Sequence, residues 1–256
     1  MFLYTIKNKK MNISGNTILI TGGTSGIGLA FAEEFIKNNN TVIITGRRQE
    51  RLDAIKKKFP NIIIKYSDVA NNSERLGLAN WAEENYPRLN IFINNAGIQL
   101  TTDLTHPADI KRISLEVETN FIAPTHLASL FTPIVAKNND AAIINITSGL
   151  AFVPIAFMPV YCATKAAMHS LTLSLRHQLK KLGVKVFEIA PPAVDTELGH
   201  DRRTDKSQSH GGIPVAEFIE GAMNAIKNDQ LEAPIGMAIG LKAKGDTLFE
   251  QINSQF

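Results

Sequence analysis

Only one cysteine, Cys162, stands in the 256 residues, so no disulfide can form within the chain and a small disulfide-stapled scaffold is excluded. A lone thiol suits a reducing compartment, and a cytoplasmic location is expected. An excess of one charge sign is also missing. The formal net charge is +3, and Lys7, Lys9 and Lys10 account for all of it, so the rest of the chain is neutral and offers no case for a nucleic-acid surface. No short repeat is visible, and the apolar fraction of 44% is ordinary, which excludes collagen, coiled coil and wholesale disorder. The first residues lack the order of a signal peptide, because their apolar run precedes the lysines. Residues 1–11 are expected to form a disordered extension, and 12–256 a single unit, since this length suits one large α/β domain. Metal motifs are absent as well. His106, His126, His169, His177, His200 and His210 fall into neither H-E-x-x-H nor a Cys/His cluster, and no metal is expected. The N-x-S/T triplets at Asn12, Asn71 and Asn145 read as chance, because nothing indicates secretion.

Between residues 141 and 164 there is no charged side chain at all. A run of that length raises the question of a membrane span. Asn145, Thr147, Ser148, Pro154 and Pro159 within it do not suit a lipid-facing helix, so a buried strand followed by a loop is expected, with no membrane partner.

What is present is alternation. Short apolar runs at 17–21, 41–45, 61–66, 91–94, 141–147 and 184–190 read as strands. Helical spacing occupies 27–38, 47–59, 71–86, 113–137, 161–182 and 214–227, with Pro124 tolerated inside the fourth and Lys56–Lys58 forming a solvated face of the second. Strand–helix alternation with strands apolar on both faces implies right-handed βαβ units, hence a doubly wound, Rossmann-like parallel sheet of six or seven strands with helices on both sides. Its ligand crevice should open at the carboxyl ends of the strands. The polar stretch at about 196–213 follows the sixth strand and reads as a flexible substrate loop.

Three local patterns carry chemistry. Gly22, Gly26 and Gly28 follow the first strand with the spacing G-x3-G-x-G, enclosing Thr24, Ser25 and Ile27. Glycines there let the backbone turn sharply against a pyrophosphate, and the helix N-terminus offers free N–H groups. At the end of the second strand an acid would hold the ribose of NAD. Gly46 stands there instead, followed by Arg47 and Arg48, whose guanidinium fork suits a 2′-phosphate. Tyr161 and Lys165, four residues apart, share one helical face. An ammonium beside a phenol favours the phenolate, so this tyrosine can act as general acid or base, while Ser148 can hydrogen-bond a substrate oxygen.

These patterns, with Asn94-Asn95-Ala96-Gly97 and Asn120, occur in the order that resembles the classical short-chain dehydrogenase/reductase family, over about residues 14 to 230. The segments YPRLNIFINNAGIQ, TSGLAF and YCATKAAMHSLTLSLRHQL are similar to its DltE-type bacterial group. The resemblance implies Tyr161 as acid/base, Lys165 on the nicotinamide ribose, Ser148 on the substrate carbonyl and Asn120 on a relay water. It implies Asp68 and Val69 at the adenine, Asn95, Ala96 and Gly97 along the cofactor, and Pro191, Val194 and Thr196 at the nicotinamide. Where the family has Pro-Gly after the sixth strand, this chain has Pro191-Pro192, and the turn must differ because Pro192 lacks an N–H.

The expected function is an NADP(H)-preferring oxidoreductase, with NAD(H) as second choice, acting on a small-molecule carbonyl or alcohol. A non-catalytic NADP(H)-binding regulator on the same fold is the alternative. Ile98, Leu100, Leu150, Phe152, Val153 and Met158 are expected to wall an apolar substrate pocket. Cys162 reads as packed. The resemblance also implies a homodimer or homotetramer through the two long helices, with Leu127, Leu130, Leu171 and Leu175 on their outer faces.

Overall fold

Runs such as Ile18–Ile20 and Ile43–Ile44 are β-branched or bulky on both sides of the strand, so they can only lie in a sheet covered on both faces. The computed structural model, which describes residues 10–198 and 211–254, places them there. Strands β1 (Thr17–Ile20), β2 (Thr41–Gly46), β3 (Ile63–Tyr66), β4 (Leu89–Asn94), β5 (Ala142–Ile146), β6 (Lys185–Ala190) and β7 (Glu232–Pro234) form one seven-stranded sheet in the order β3-β2-β1-β4-β5-β6-β7. Every pairing in it is parallel.

Side chains alternate between two cores. On one face Ile18, Ile20, Val42, Ile44, Ile91 and Ile93 pack against α1 (Gly26–Lys37), α2 (Gln49–Lys58) and α7 (Val215–Lys227) through Phe31, Phe35, Leu52 and Phe218. On the other, Leu19, Ile43, Phe92, Ile143 and Val186 meet α3 (Asn72–Asn85), α5 (Ala123–Val135) and α6 (Pro159–Leu179). No helix among the described residues is long and apolar enough to cross a membrane, and the charge-free stretch is β5 and the loop after it.

The structure differs from the sequence expectations in several places. The helix expected over 113–137 begins earlier, as α4 (Ile110–Val117), and passes through a π-turn at Glu118–Ile122 before α5. Pro124 has no N–H to give to the Asn120 carbonyl four residues back, so the i+4 ladder cannot run through this point; the chain widens to an i+5 bond from Ala123 N–H to the Glu118 carbonyl. Residues 10 and 11 do not belong to a disordered extension. Met11 is buried, and its N–H donates to Asp229 at 3.1 Å; residues 1–9 lie outside the described residues. Of the loop expected over 196–213, residues 199–210 likewise lie outside them. Its base is pinned by a bridge between Val194 and Ile213, with Asp195 N–H donating to the Ile213 carbonyl at 2.9 Å. Of the leucines expected on the outer helix faces, Leu127 is buried in the core. Leu130, Leu171 and Leu175 are partly exposed, with Leu130 and Leu175 packed against the core, and Ile122 and Leu173 are more exposed than they are. Strand β7 and the C-terminal helices α8 (Ala238–Lys244) and α9 (Phe249–Asn253) were not expected, being too short to show a period.

The second core is locked by Phe92 of β4 stacked on Phe131 of α5, with centroids 4.2 Å apart and planes 6° from parallel. Truncating Phe131 to Ala leaves a cavity against a rigid strand and is expected to cost about 3–5 kcal/mol. Urea unfolding reads this as a lower midpoint at unchanged slope; a loss below 1 kcal/mol would mean that the stack is not part of the cooperative core.

Candidate active site

The sheet order reverses between β1 and β4, and the chain leaving each strand there goes to opposite faces. The resulting groove, about 450 Å³, is lined from the carboxyl ends of six strands: Gly22 after β1, Gly46 closing β2, Ser67 after β3, Asn95 after β4, Thr147 after β5 and Pro191 after β6.

Its floor is a backbone surface made by close approach. Gly22 takes φ +66°, and a Cβ there would lie 2.8 Å from the Ala96 Cα; a Cβ on Gly28 would lie 2.4 Å from the Gly22 carbonyl oxygen. Asn95 fixes this turn, its side-chain amide donating to the carbonyls of Thr21 (2.9 Å) and Gly22 (3.1 Å). Thr21 Oγ1 accepts from the N–H groups of Asn95 and Ala96 in return. Thr24, Ser25, Gly26 and Ile27 face the groove at the start of α1, where the helix N-terminus leaves N–H groups free for an anion. Gly28 lies behind them as a packing residue.

Arg47 and Arg48 both line the groove. Arg47 is exposed, while Arg48 folds over the glycine turn, with Nη2 3.4 Å from both Thr24 Oγ1 and Ser25 Oγ. Arg48 and Arg51 also pair with Glu197, at the start of the expected substrate loop. Glu197 was not among the sequence candidates, because its partners are distant in the chain. Asp68 and Val69 line the groove beyond β3, and Ala96, Gly97 and Thr196 complete its middle. Val194 does not line it; it is buried in the bridge to Ile213.

Tyr161 and Lys165 both line the groove from the first turns of α6, with Lys165 Nζ 5.7 Å from the centre of the tyrosine ring. Pro159, at the start of α6, has no N–H to leave unsatisfied and sets the helical φ, which places Tyr161 within the first turn. Lys165 is 7% exposed and donates to the Ile146 carbonyl at 2.9 Å. Burial lowers its pKa to about 8, against the opposing pull of the Glu188 carboxylate. Ser148 caps the short turn Gly149–Ala151, its Oγ accepting from Leu150 N–H at 3.1 Å, which leaves its own proton to donate. Asn120 is fully engaged: Oδ1 accepts from Ile98 N–H at 2.9 Å, and Nδ2 donates to the Ile98 carbonyl (2.8 Å) and Thr164 Oγ1 (3.3 Å). It thus ties the chain after β4 to α6. Neither Ser148 nor Asn120 lines the groove itself.

The turn after Pro191-Pro192 is held through the Pro191 carbonyl, which accepts from Gly149 N–H at 2.8 Å, so the loss of an N–H at Pro192 does not detach it. Of the expected pocket wall, Ile98 and Leu100 line the groove, joined by Leu115 and Leu198. Val153 and Met158 are buried instead, Met158 against Tyr161 and Cys162. Cys162 is packed, and burial pushes its thiol up, away from the reactive thiolate. His169, Glu188 and Glu232 come within 4.8 Å of one another by their ligand atoms, a cluster that no sequence spacing indicated.

The comparisons agree with this architecture. The family model for short chain dehydrogenase matches residues 16–207. The uncharacterized oxidoreductase DltE of Bacillus subtilis (strain 168) is 45% identical over 250 residues, covering 96% of this chain and 99% of that protein. The NADP-dependent 3-hydroxy acid dehydrogenase YdfG of Escherichia coli O6:H1 is 33% identical over 214 residues, covering 80% of this chain and 86% of that one. Among solved structures, a short-chain dehydrogenase from Sphingobium yanoikuyae in complex with NADPH superposes with a TM-score of 0.76 at 27% identity, covering 86% of each chain. The chain belongs to the short-chain dehydrogenase family, and is an oxidoreductase of the NAD(P)-dependent dehydrogenase/reductase class.

The buried lysine is directly measurable. In the free protein, the Lys165 ε-carbon followed by NMR, assigned by its loss in Lys165→Met, is expected to titrate near pH 8. A midpoint at the ordinary 10.5 would show that the ammonium is hydrated and the groove open around it.

Proposed function

We propose that the chain is an NADP(H)-dependent oxidoreductase that interconverts a carbonyl and a secondary alcohol, with Tyr161 as general acid/base. The observation that carries the reading is the Tyr161–Lys165 pair, one helical turn apart and lining the same groove. The groove residues fit a nicotinamide dinucleotide: Ser67 Oγ and Thr119 Oγ1 are buried in its wall without a hydrogen-bond partner, and the glycine turn keeps backbone where any Cβ would intrude. Bound there, the nicotinamide would give or take the hydride.

The chain's own residues do the rest. Tyr161 donates its proton to the oxygen that becomes an alcohol, or accepts it in the reverse direction. Lys165 holds ribose hydroxyls and favours the phenolate form of Tyr161. Ser148 directs its free proton at the same substrate oxygen. Asn120 keeps Gly97 and Ile98 against α6, and its backbone carbonyl, released from the α-ladder by Pro124, suits a relay water. Asp68 and Val69 take the adenine end, and Pro191 and Thr196 the nicotinamide end. Val194, buried in the bridge, acts there through the backbone it holds. In this reading the chain works as a homodimer or homotetramer, a state that light scattering reads directly.

Tyr161→Phe removes one oxygen and little volume, so folding and cofactor binding are expected to survive while turnover falls by about 10²–10⁴-fold. Near-normal turnover on a verified substrate would place the proton donor elsewhere. The substrate itself follows from a screen of NADPH oxidation across ketones, aldehydes, quinones and 3-ketoacyl thioesters, with 3-keto acids included because of the YdfG likeness. The apolar side chains of Ile98, Leu100 and Leu115 favour the neutral members.

Cofactor preference rests on Gly46 standing where a carboxylate would repel a 2′-phosphate, and on the arginines beside it. NADPH is expected to bind more tightly than NADH by fluorescence titration. Arg47→Ala and Arg48→Ala, measured separately, assign the phosphate ligand: the one that holds it loses roughly 1.5–3 kcal/mol for NADPH and little for NADH. Equal affinities for the two cofactors in the unaltered protein would remove the role from both arginines.

A further inference from the structure

Behind the stripe of α6 that carries Tyr161 and Lys165 lies a charge that the reaction described above does not use. Glu188 lies on β6 and is fully buried, 0% exposed. Its two oxygens are taken: Thr147 Oγ1 donates to Oε1 at 2.8 Å, and His169 Nδ1 lies 2.8 Å from Oε2. His169 stands four residues after Lys165, as Lys165 stands four after Tyr161, so the three form one stripe along α6. Thr147 immediately precedes Ser148. The carboxylate is therefore clamped between the strand end that presents Ser148 and the helix that presents Tyr161 and Lys165.

Glu188 is the third member of a polar row that crosses the sheet. Asn94, Asn145, Glu188 and Glu232 stand in register on β4, β5, β6 and β7. Asn94 donates to Asn145 at 3.0 Å, and Asn145 to Thr172 of α6 at 2.9 Å. At the edge, Glu232 pairs with Lys242 of α8. Lys242 thus supplies a cation at the edge of the His169–Glu188–Glu232 cluster. The charged and titratable groups facing Glu188 are His169 and Lys165 from α6, Glu232 from β7 and, beyond it, Lys242 from α8.

We propose that Glu188 is the counter-ion that draws the positive charge of the Tyr161–Lys165 pair toward Lys165, and is in that sense a positioning residue for proton transfer. The inference rests on the reading of Tyr161 as acid/base. Once the pair has lost one proton, two arrangements hold the same number: phenolate with ammonium, or phenol with neutral amine. Only the first leaves Tyr161 as the phenolate that can accept a proton from an alcohol. Desolvation penalises the ammonium and favours the second; a buried carboxylate, held by His169 one helical turn beyond the lysine, favours the first. No proton moves to or from Glu188, and its effect is the choice between these two forms.

The test compares Glu188→Gln and Glu188→Asp with the unaltered protein, using the Lys165 NMR titration and alcohol oxidation on a substrate from the screen. With Gln, the Lys165 midpoint is expected to fall by at least about one unit. The kcat for oxidation should fall at least about tenfold, one unit of coupling being a factor of ten, with the KM of substrate changed less than twofold. Asp, which keeps the charge one methylene further back, should lie between the two and partly rescue both readings. If Gln destabilises the fold, Asp alone still decides, since its midpoint must move down from that of the unaltered protein. An unmoved midpoint overturns the proposal, and so does a lowered midpoint with unchanged kcat. Active Tyr161→Phe would instead overturn the underlying acid/base reading, which the Lys165 midpoint does not test.

Discussion

The constraint on which the rest of this structure depends is the close approach between the turn after β1 and the chain after β4. The sheet reverses its winding at that point, so two backbones must cross at the bottom of the crevice. They can do so only because Gly22 and Gly28 carry no side chain and because Gly22 adopts positive φ. Asn95 then supplies, with one amide, the hydrogen bonds that hold the crossing. The anion-binding end of α1, the arginines after β2 and the middle of the groove all take their positions from it.

The second feature is that polar groups are buried in a sheet otherwise built from Ile, Val, Leu and Phe. A row from Asn94 to Glu232 runs across four strands on the face that α5 and α6 cover. Burying such groups is costly unless each finds a partner, and here Asn145 meets Thr172, Glu188 meets Thr147 and His169, and Glu232 meets Lys242. These bonds fix the rotation of α6 against the sheet. The same rotation points Tyr161 and Lys165 at the groove, so the packing of the polar row and the aim of that pair are one geometric problem.

How much of this was legible in the sequence follows from range. The strands at β1, β2, β4, β5 and β6 are apolar runs bounded by turn residues, and period alone finds them. The Gly22–Gly28 turn and the Tyr161–Lys165 spacing are local, so the site they form could be read from spacing and order. Glu197, Ser67 and the Glu188–His169–Glu232 cluster could not, because each is defined by partners brought from distant strands. The run does tolerate Pro124, as its spacing suggests, but the sequence does not show how the missing N–H is accommodated, which is by the π-turn at Glu118–Ile122. The outer faces of the long helices were legible only in part: several rotations of an apolar helix satisfy its own pattern, and only the neighbours decide that Leu127 faces in while Ile122 and Leu173 face out.

The two ends of the chain contribute differently to the site. The groove that holds the Tyr161–Lys165 pair is built between Gly22 and Leu198, while the loop leading from Ser148 to Tyr161 is supported from beyond it. A Cβ on Gly149 would lie 3.0 Å from Ala238 Cβ and from Leu241 Cδ1 of α8. Asn253 of α9 accepts from Ala156 N–H at 2.7 Å and donates to the Pro154 carbonyl at 3.1 Å. Lys242, through Glu232, joins the same C-terminal segment to the row behind Lys165. The short helices after β7 therefore buttress the loop between Ser148 and Tyr161 without lining the groove. Changes in them can reshape that loop while Tyr161, Lys165 and the glycine floor stay fixed by the sheet, which is how one scaffold can vary at its edge and keep its centre.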